Sequence, residues 1–432
     1  MKPGRMFLWA GAGVALLAVP AGGEDFGTTN TQALAHFRAA LQMPDRPVTV
    51  VSFGDSMADS YRSVTYYLMN RLMARFGSAG YSLNNYHNTA LWQLENGAAN
   101  RGPDQYWFCR YVAVPPGGAM WWSNQPNPAG VLADQAGLFY VSHPGGGGFR
   151  LRLSTNGAPW ATVRTLEGYS AEPQGHFATI TLPLDRYRLR VESDAGTNFI
   201  IGPSLVATHR AGFHAVFMDW GGIHLGQVTN VPPAIRTPIL AGLQPDLLIW
   251  HMKEDGSGAT SNRMAACETW WRAAAPAGDV IYIGTPWLST DQTGTTTPDQ
   301  NRVVRGVAVA HGRVYADLMQ PTISYDWLVA QGFIEDGTHL NNAGGQYCAN
   351  VMWDDLGFFS LGLDLRITLQ SVGEQLQLRY TTFPTARYRV EFSPDLTVWT
   401  PLWTNPLAAA AFSTNFLPGS ARGFYRLHLT PP

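Results

Sequence analysis

The sequence predicts an α/β protein with a mainly parallel sheet, interrupted by an inserted antiparallel β-sandwich and followed by a small C-terminal all-β domain. Three observations carry this. Strand-length apolar runs alternate with helix-capable segments before residue 100 and again after residue 208. Between about Arg101 and Val206 the pattern changes to short period-two runs separated by Gly, Pro and Asn. From about Leu361 the period-two pattern returns without helical spacing.

The elements follow in chain order. Val48 to Phe53 is a β-branched and aromatic run ending at Gly54, so it reads as a strand. Ser60 to Phe76 then places Val64, Leu68, Leu72 and Phe76 on one helical face, with Gly77 as the stop. Phe149 to Leu153, Ala178 to Leu182 and Tyr187 to Val191 alternate as strands of the sandwich. Leu247 to Trp250, Val280 to Ile283 and Arg313 to Asp317 are further strands of the parallel sheet, with a helix expected over Asn262 to Ala275. Gly344 to Leu356 is helix-like, and Leu376 to Tyr380, Tyr388 to Phe392 and Phe424 to Leu427 are strands of the C-terminal module. The expected division is therefore a signal peptide over 1–22, the α/β domain over 24–100 and 208–358, the sandwich over 101–207 and the C-terminal β-domain over 361–432.

Composition agrees with this reading and removes others. At roughly 150 residues per domain, 432 residues suggest about three domains. Only 14% of residues are charged, while Gly and Pro number 45 and 29, which favours turn-rich β structure over charged coiled coils or acidic tails. A formal net charge of −2 without a Lys/Arg run gives nucleic-acid binding no electrostatic support.

The N-terminus reads as an export signal: Lys2 and Arg5 precede an apolar stretch from Met6 to Val19, and Val19-Pro20-Ala21 suits cleavage near Ala21 or Gly23. The stretch is shorter than the ~20 residues that span a bilayer, and no later window replaces it, so no membrane span is expected after cleavage. Cys109, Cys267 and Cys348 lack metal-ligand spacing, and at most one pair of them can bridge.

Two short motifs carry chemistry. In Gly54-Asp55-Ser56 a serine sits where a strand turns towards a helix, near backbone N–H groups able to stabilise a developing anion. In Asp336-Gly337-Thr338-His339-Leu340 a carboxylate three residues before a histidine can accept from one imidazole nitrogen, leaving the other to take a proton from a hydroxyl. Each fragment alone also reads as ordinary local structure, a helix-capping serine and an Asx turn.

Together, with Asn341, Asn342 and Gly344 following, these motifs resemble the first and last blocks of the SGNH/GDSL hydrolase family. The resemblance covers roughly Pro47 to Leu356 with the insert removed, and it implies a three-layer α/β domain. It makes Ser56 the nucleophile and an oxyanion donor through its N–H, His339 the general base and Asp336 its orienter. It places the second oxyanion donor at Gly222 within Asp219-Trp220-Gly221-Gly222-Ile223, where Gly221 holds a position often occupied by Asn. The separation, 222 − 56 = 166 residues, is too long for one strand-helix-strand step and itself argues for an insertion. The third block departs from the family: counting from Pro245 sets Lys253 at the expected glycine and Asp255 at the expected asparagine. An ionised Asp cannot donate to an oxyanion, so Lys253, a shifted backbone N–H or Asn262 stands as the substitute.

These readings converge on a secreted serine esterase that removes O-acyl groups, chiefly acetyl, from a polysaccharide, without metal or organic cofactor. The insert resembles the noncatalytic β-insert of some peptidoglycan and polysaccharide O-acetylesterases. The alternative is a carbohydrate-binding or surface-attachment protein on a degenerate hydrolase scaffold, favoured by the altered third block; a lipase or thioesterase is a weaker enzymatic reading. His224 and His251 are expected near the active loop in structural roles. Trp121, Trp122, Trp160 and Trp399 are read either as core aromatics or as sugar-stacking platforms.

Overall fold

The computed structural model describes residues 27–358 except 44, 59–61, 83–91, 123–130, 156, 253–257 and 288–295, together with 368–372, 375–381, 387–393, 398–404, 411–416 and 424–430. The expected signal peptide lies outside the described residues. Among those residues no helix is long and apolar enough to cross a membrane.

The chain opens with a short 3₁₀ turn and helix α1 (Ala35–Ala40), then β1 (Val48–Gly54), α2 (Val64–Phe76) and β2 (Ser78–Ser82). A long antiparallel section follows: β3 (Trp92–Glu95), β4 (Ala99–Arg101), β5 (Tyr111–Val114), β6 (Ala119–Trp122), β7 (Val131–Ser142), β8 (Gly148–Thr155), β9 (Ala161–Glu167), β10 (Gln174–Ser193) and β11 (Asn198–Val206). The α/β pattern then resumes with β12 (Phe213–Asp219), α3 (Leu225–Asn230), α4 (Pro233–Leu243), β13 (Leu247–His251), α5 (Gly258–Ala274) and β14 (Asp279–Ile283). It closes with α6 (Thr297–Ala310), β15 (Val314–Ala316), α7 (Tyr325–Ala330) and α8 (Asn342–Asp355). The C-terminal part holds two three-stranded antiparallel sheets, one of β16 (Thr368–Val372), β17 (Gln375–Thr381) and β20, the other of β18 (Arg387–Ser393), β19 (Thr400–Thr404) and β21, where β20 is Ala411–Phe416 and β21 is Phe424–Thr430.

The parallel sheet runs β15-β14-β13-β1-β12, with β2 added beside β12. Strand alternation sends Val51 and Phe53 to a core with α3–α6 and sends Val48 and Val50 to a second core with α1, α2 and α8, giving three layers. In α2 the spaced residues Val64, Leu68, Leu72 and Phe76 are all buried, as their period requires. The helix starts later than the sequence suggests, because Ser63 caps it by accepting the Tyr66 N–H at 3.0 Å.

The antiparallel section differs from the expectation of a sandwich standing apart. β11 pairs antiparallel with β2, so one continuous hydrogen-bonded sheet runs from the parallel strands into the antiparallel ones. The pairing also begins earlier than residue 101, since β3 already lies against β6 and β4 against β5. Ala178 to Leu182 and Tyr187 to Val191 are two halves of β10, joined by a register shift between Thr181 and Asp185 instead of a turn. β10 pairs with β7 on both sides of that irregularity, from Gln174 to Tyr187, and with β6 and β8 towards its end, around a core that includes Trp122, Leu138, Phe149 and Val191.

A buried polar relay crosses the junction. The Ser82 hydroxyl donates to Ser204 Oγ at 2.6 Å and lies 2.6 Å from His214 Nε2, while Thr49 Oγ1 lies 3.2 Å from His214 Nδ1. His214 thereby spans β1, β12, β2 and β11 with both ring nitrogens partnered. The three cysteines are buried.

Burial lowers the His214 pKa to about 4 and that of His251 to about 3. The unfolded chain, at the ordinary 6.5, binds protons that the folded chain refuses, so stability is full above about pH 6.5 and falls as the pH drops towards these values. Asp317, raised by burial to about 6, acts in the opposite sense between pH 6 and 3.8, and the two histidines together outweigh it. The urea midpoint is expected to be lower at pH 5 than at pH 7, and an equal or higher midpoint at pH 5 would contradict the burial of these rings as neutral imidazoles.

Candidate active site

The carboxyl ends of β12, β1 and β13 lie in register, with Gly54 flanked by Asp219 and His251. Gly54 has no room for a side chain: a Cβ there would lie 1.8 Å from the His251 carbonyl oxygen and 2.8 Å from Ala58 Cβ. The chain then turns sharply through Asp55 to Ala58. Asp55 accepts the Met57 N–H on Oδ1 at 2.9 Å, and the Ala58 N–H donates to the Asp55 carbonyl at 3.0 Å. Ser56 is carried at this turn and not on the first turn of α2, which begins at Val64. The Ser63 hydroxyl donates to the Ala58 carbonyl at 2.8 Å and ties the turn to the helix cap.

The second motif forms a narrow loop. The Asn341 N–H donates to the Phe333 carbonyl and the Glu335 N–H to the His339 carbonyl, both at 2.9 Å, leaving Asp336 to Thr338 at the tip. Asp336 divides its oxygens: Oδ1 accepts the N–H groups of Thr338 at 3.0 Å and His339 at 2.8 Å, while Oδ2 lies 2.8 Å from His339 Nδ1. The Asx turn and the imidazole contact therefore coexist on one carboxylate. His339 Nε2 lies 2.9 Å from Ser56 Oγ. With Nδ1–H donating to Asp336, Nε2 is left to accept from the serine hydroxyl. Burial alone would raise the Asp336 pKa, but the hydrogen bonds from the His339 ring, its N–H and that of Thr338 outweigh it and bring it to about 2. The side chains of Asp336 and His339 remain 53% and 37% exposed, so the site is open at the surface.

The other residues singled out in the sequence occupy varied places. Gly222 follows β12 in an exposed turn with φ of 82°, a conformation that suits glycine, and the adjacent Trp220 N–H donates to the Gly54 carbonyl at 3.0 Å. Lys253 and Asp255 lie outside the described residues. Asn262 is on α5 with an exposed side chain, and among the described residues no contact joins it to Ser56, His339 or Asp336. His224 is exposed ahead of α3, with its N–H donating to Gln227 Oε1 at 2.9 Å. His251 is wholly buried at the end of β13, and among the described residues neither ring nitrogen has a hydrogen-bond partner. No group of three or more His, Cys, Asp or Glu converges among the described residues.

Several neighbours of the site were not legible as such in the sequence. Arg62, beyond the Ser56 turn, forms an ion pair with Glu335, beside Asp336. The backbone carbonyl of Arg62 also packs on α8, where a Cβ on Gly345 would lie 1.9 Å from it. One residue thus touches the loop bearing His339, through its guanidinium, and the helix behind that loop, through its backbone. From the antiparallel section, Trp107 and Phe108 are buried in the α3–α6 core and the Arg110 guanidinium lies 4.7 Å over the Trp220 ring. Trp122 is core, whereas Trp121 and Trp160 are half-buried with ring centres 6.4 Å apart, and Arg188 and Arg190 lie over Trp160. Trp399 is half-buried in the C-terminal part.

Comparison with protein-family models and with curated protein sequences gives no match. Among solved structures, a peptidoglycan O-acetylesterase superposes with a TM-score of 0.59 at 16% identity, over 78% of this chain and 98% of that one. The two proteins share a fold. Other solved structures overlap less: a protein described as a GDSL-like lipase from Parabacteroides merdae gives a TM-score of 0.28 at 16% identity, over 33% of this chain and 73% of its own. A family two carbohydrate esterase from Clostridium thermocellum, in complex with cellohexaose, gives 0.26 at 13% identity, over 62% and 100%. The likeness is one of fold, and the order β12-β1-β13-β14-β15 sets the Ser56 turn at the carboxyl end of an interior strand, where open α/β sheets place their ligands.

The Arg62–Glu335 pair is half-exposed and is expected to add little to stability, within about 1 kcal/mol. Its removal by Arg62→Met or Glu335→Gln should lower turnover of a small ester by a few-fold to about 10²-fold through misplacement of His339 relative to Ser56. The charge-reversed pair, Arg62→Glu with Glu335→Arg, should recover part of that loss. Steady-state kinetics beside thermal unfolding checks both statements.

Proposed function

We propose that this protein is a serine esterase that removes O-acyl groups, chiefly O-acetyl, from a polysaccharide through an acyl-enzyme. The observation that carries the reading is the unbroken chain from Asp336 Oδ2 to His339 Nδ1 at 2.8 Å and from His339 Nε2 to Ser56 Oγ at 2.9 Å. In this reading Ser56 Oγ attacks the ester carbonyl while its proton passes to His339 Nε2, and Asp336 stabilises the imidazolium. The tetrahedral intermediate collapses when His339 returns the proton to the departing sugar oxygen. Water, deprotonated by the same nitrogen, then attacks the acyl-enzyme and releases the carboxylic acid and free Ser56.

The backbone N–H groups of Ser56 and Gly222 are the proposed oxyanion donors, with a third contribution from residues 253–257, by Lys253 or a backbone N–H in place of Asp255. Arg110 over Trp220 steadies the turn that leads to Gly222. The polysaccharide assignment is supported by the fold shared with a peptidoglycan O-acetylesterase and by an acid-base pair that stands open at the surface. In the same reading residues 24–100 and 208–358 form the catalytic unit, 101–207 a noncatalytic insert, 361–432 an appended β-domain, and 1–22 a cleaved export signal.

Ser56→Ala should lower p-nitrophenyl acetate turnover by at least about 10³-fold with an unchanged melting temperature, because the hydroxyl serves the reaction and not the packing. Release of acetate from an acetylated polysaccharide should disappear in the same variant. If the wild type turns over neither substrate, the binding-protein reading on an inactive scaffold replaces this one. Asp336 stays ionised down to about pH 2, so its own protonation should cause no loss of activity well above that pH. A pH–rate profile of kcat/KM reads this directly.

A further inference from the structure

The outer face of β8, β10, β6 and β3 carries a cluster that the proposed reaction does not use. Leu151, Leu189, Met120 and Leu94 pack in the core below, so strand alternation turns their neighbours outward. One cross-strand row of that outer face reads Arg152, Arg190, Trp121 and Gln93, each directly opposite the next. Two guanidinium groups facing each other across strands repel, and the sheet alone would be better served by an apolar or mixed-charge pair. Glu192 holds them together: it accepts from Arg152 Nη1 and from Arg190 Nε, both at 2.7 Å, while Arg190 Nη2 donates to Glu95 at 2.7 Å.

Trp160, just before β9, lies over this row. Its carbonyl accepts from Arg152 Nη2 at 2.6 Å, the guanidinium groups of Arg188 and Arg190 lie 5.2 and 5.9 Å from its ring centre, and the Trp121 ring is 6.4 Å away, tilted by 54°. Both indoles are half-buried, so each keeps part of its surface in water. Held at backbone and ring, Trp160 loses little freedom when something stacks on it. The charges around it select the partner. Four arginines, Arg150, Arg152, Arg188 and Arg190, stand against three carboxylates, and among the described residues all but Arg188 are joined to them in ion pairs. A face so neutralised offers a polyanion little attraction, and it carries more charge than the core of a protein interface. A sugar fits it: hydroxyl groups both donate and accept, meeting guanidinium and carboxylate side by side, while the C–H face of the ring stacks on indole.

We propose that this face binds a neutral polysaccharide chain, with Trp160 and Trp121 stacking on sugar rings and Gln93, Glu95 and Arg188 hydrogen-bonding their hydroxyl groups. The site does not depend on the esterase reading, since binding there involves none of Ser56, His339 or Asp336.

The test is native affinity electrophoresis of the full chain in gels containing hydroxyethylcellulose, mixed-linkage β-glucan or galactomannan, with polygalacturonate and a thymidine oligonucleotide as anionic probes. At least one neutral polymer should retard the wild type, and a roughly tenfold rise in NaCl should change its Kd by no more than about twofold, whereas contacts to several anionic groups would weaken binding by orders of magnitude. Trp160→Ala should weaken the retardation at least about tenfold while leaving the melting temperature and p-nitrophenyl acetate turnover as in the wild type. Trp160→Tyr, which keeps an aromatic face, should recover most of it. Gln93→Ala, at an exposed position opposite Trp121, should weaken it a few-fold and decides the matter if Trp160→Ala does not fold. No retardation by any of the neutral polymers, retardation by the anionic probes alone, or undiminished retardation of the folded variants would each overturn the proposal. A wild type that binds a neutral polymer through Trp160 but turns over no ester would end the esterase reading and leave this one standing.

Discussion

The close approach of β1 to β13 at Gly54 is the constraint on which the candidate site rests. With the His251 carbonyl 1.8 Å from where a Cβ would stand, the strand can end in this register only as glycine. The turn beyond it starts from a fixed point, and the Asp55 carboxylate, the Ser63 hydroxyl and the α2 cap hold it there. The Trp220 N–H on the Gly54 carbonyl brings the turn after β12 to the same point. The segments around Gly54, Trp220 and His251 thus meet at one residue that lacks a side chain.

The acid-base loop is built by a different economy. A single carboxylate, Asp336, folds its own turn with one oxygen and orients the imidazole with the other. The loop is then fastened from behind, since Asn341 caps α8 by accepting the Gly344 N–H and donates from its amide to the Gly332 carbonyl at 2.6 Å. Arg62 and Glu335 join this loop to the serine turn, so the distance between His339 and Ser56 is set by contacts on both sides of the pair.

The antiparallel section is integrated with the parallel sheet to a degree that domain language understates. It is joined through β2 and β11, through the Ser82–His214–Thr49 relay, through Trp107 and Phe108 in the α3–α6 core, and through Phe177 of β10, whose ring meets the backbone position of Gly242 in α4. An insert so connected can influence the site through Arg110 and Trp220 without bearing any reacting group.

The strands and helices around the site were legible because their cause is local. Apolar period, a Ser cap and a stopping Gly act within a few residues, so Val48 to Phe53, Leu247 to Trp250 and Val280 to Ile283 could be read directly, as could the buried stripe of α2. The pairing of Asp336 with His339 was legible for the same reason, being three residues apart on one turn. Ser56 could be joined to them only by resemblance, because the contact spans 283 residues of chain. What tertiary structure alone decided depends on distant backbone meeting distant backbone. The Pro183 to Asp185 stretch looked like a turn, and cross-strand pairing with β7 made it an irregularity inside one strand. Arg62 and Arg110 carry no local signature, since a guanidinium acquires its role from what folding sets beside it: a carboxylate, or an indole beside the Gly222 turn.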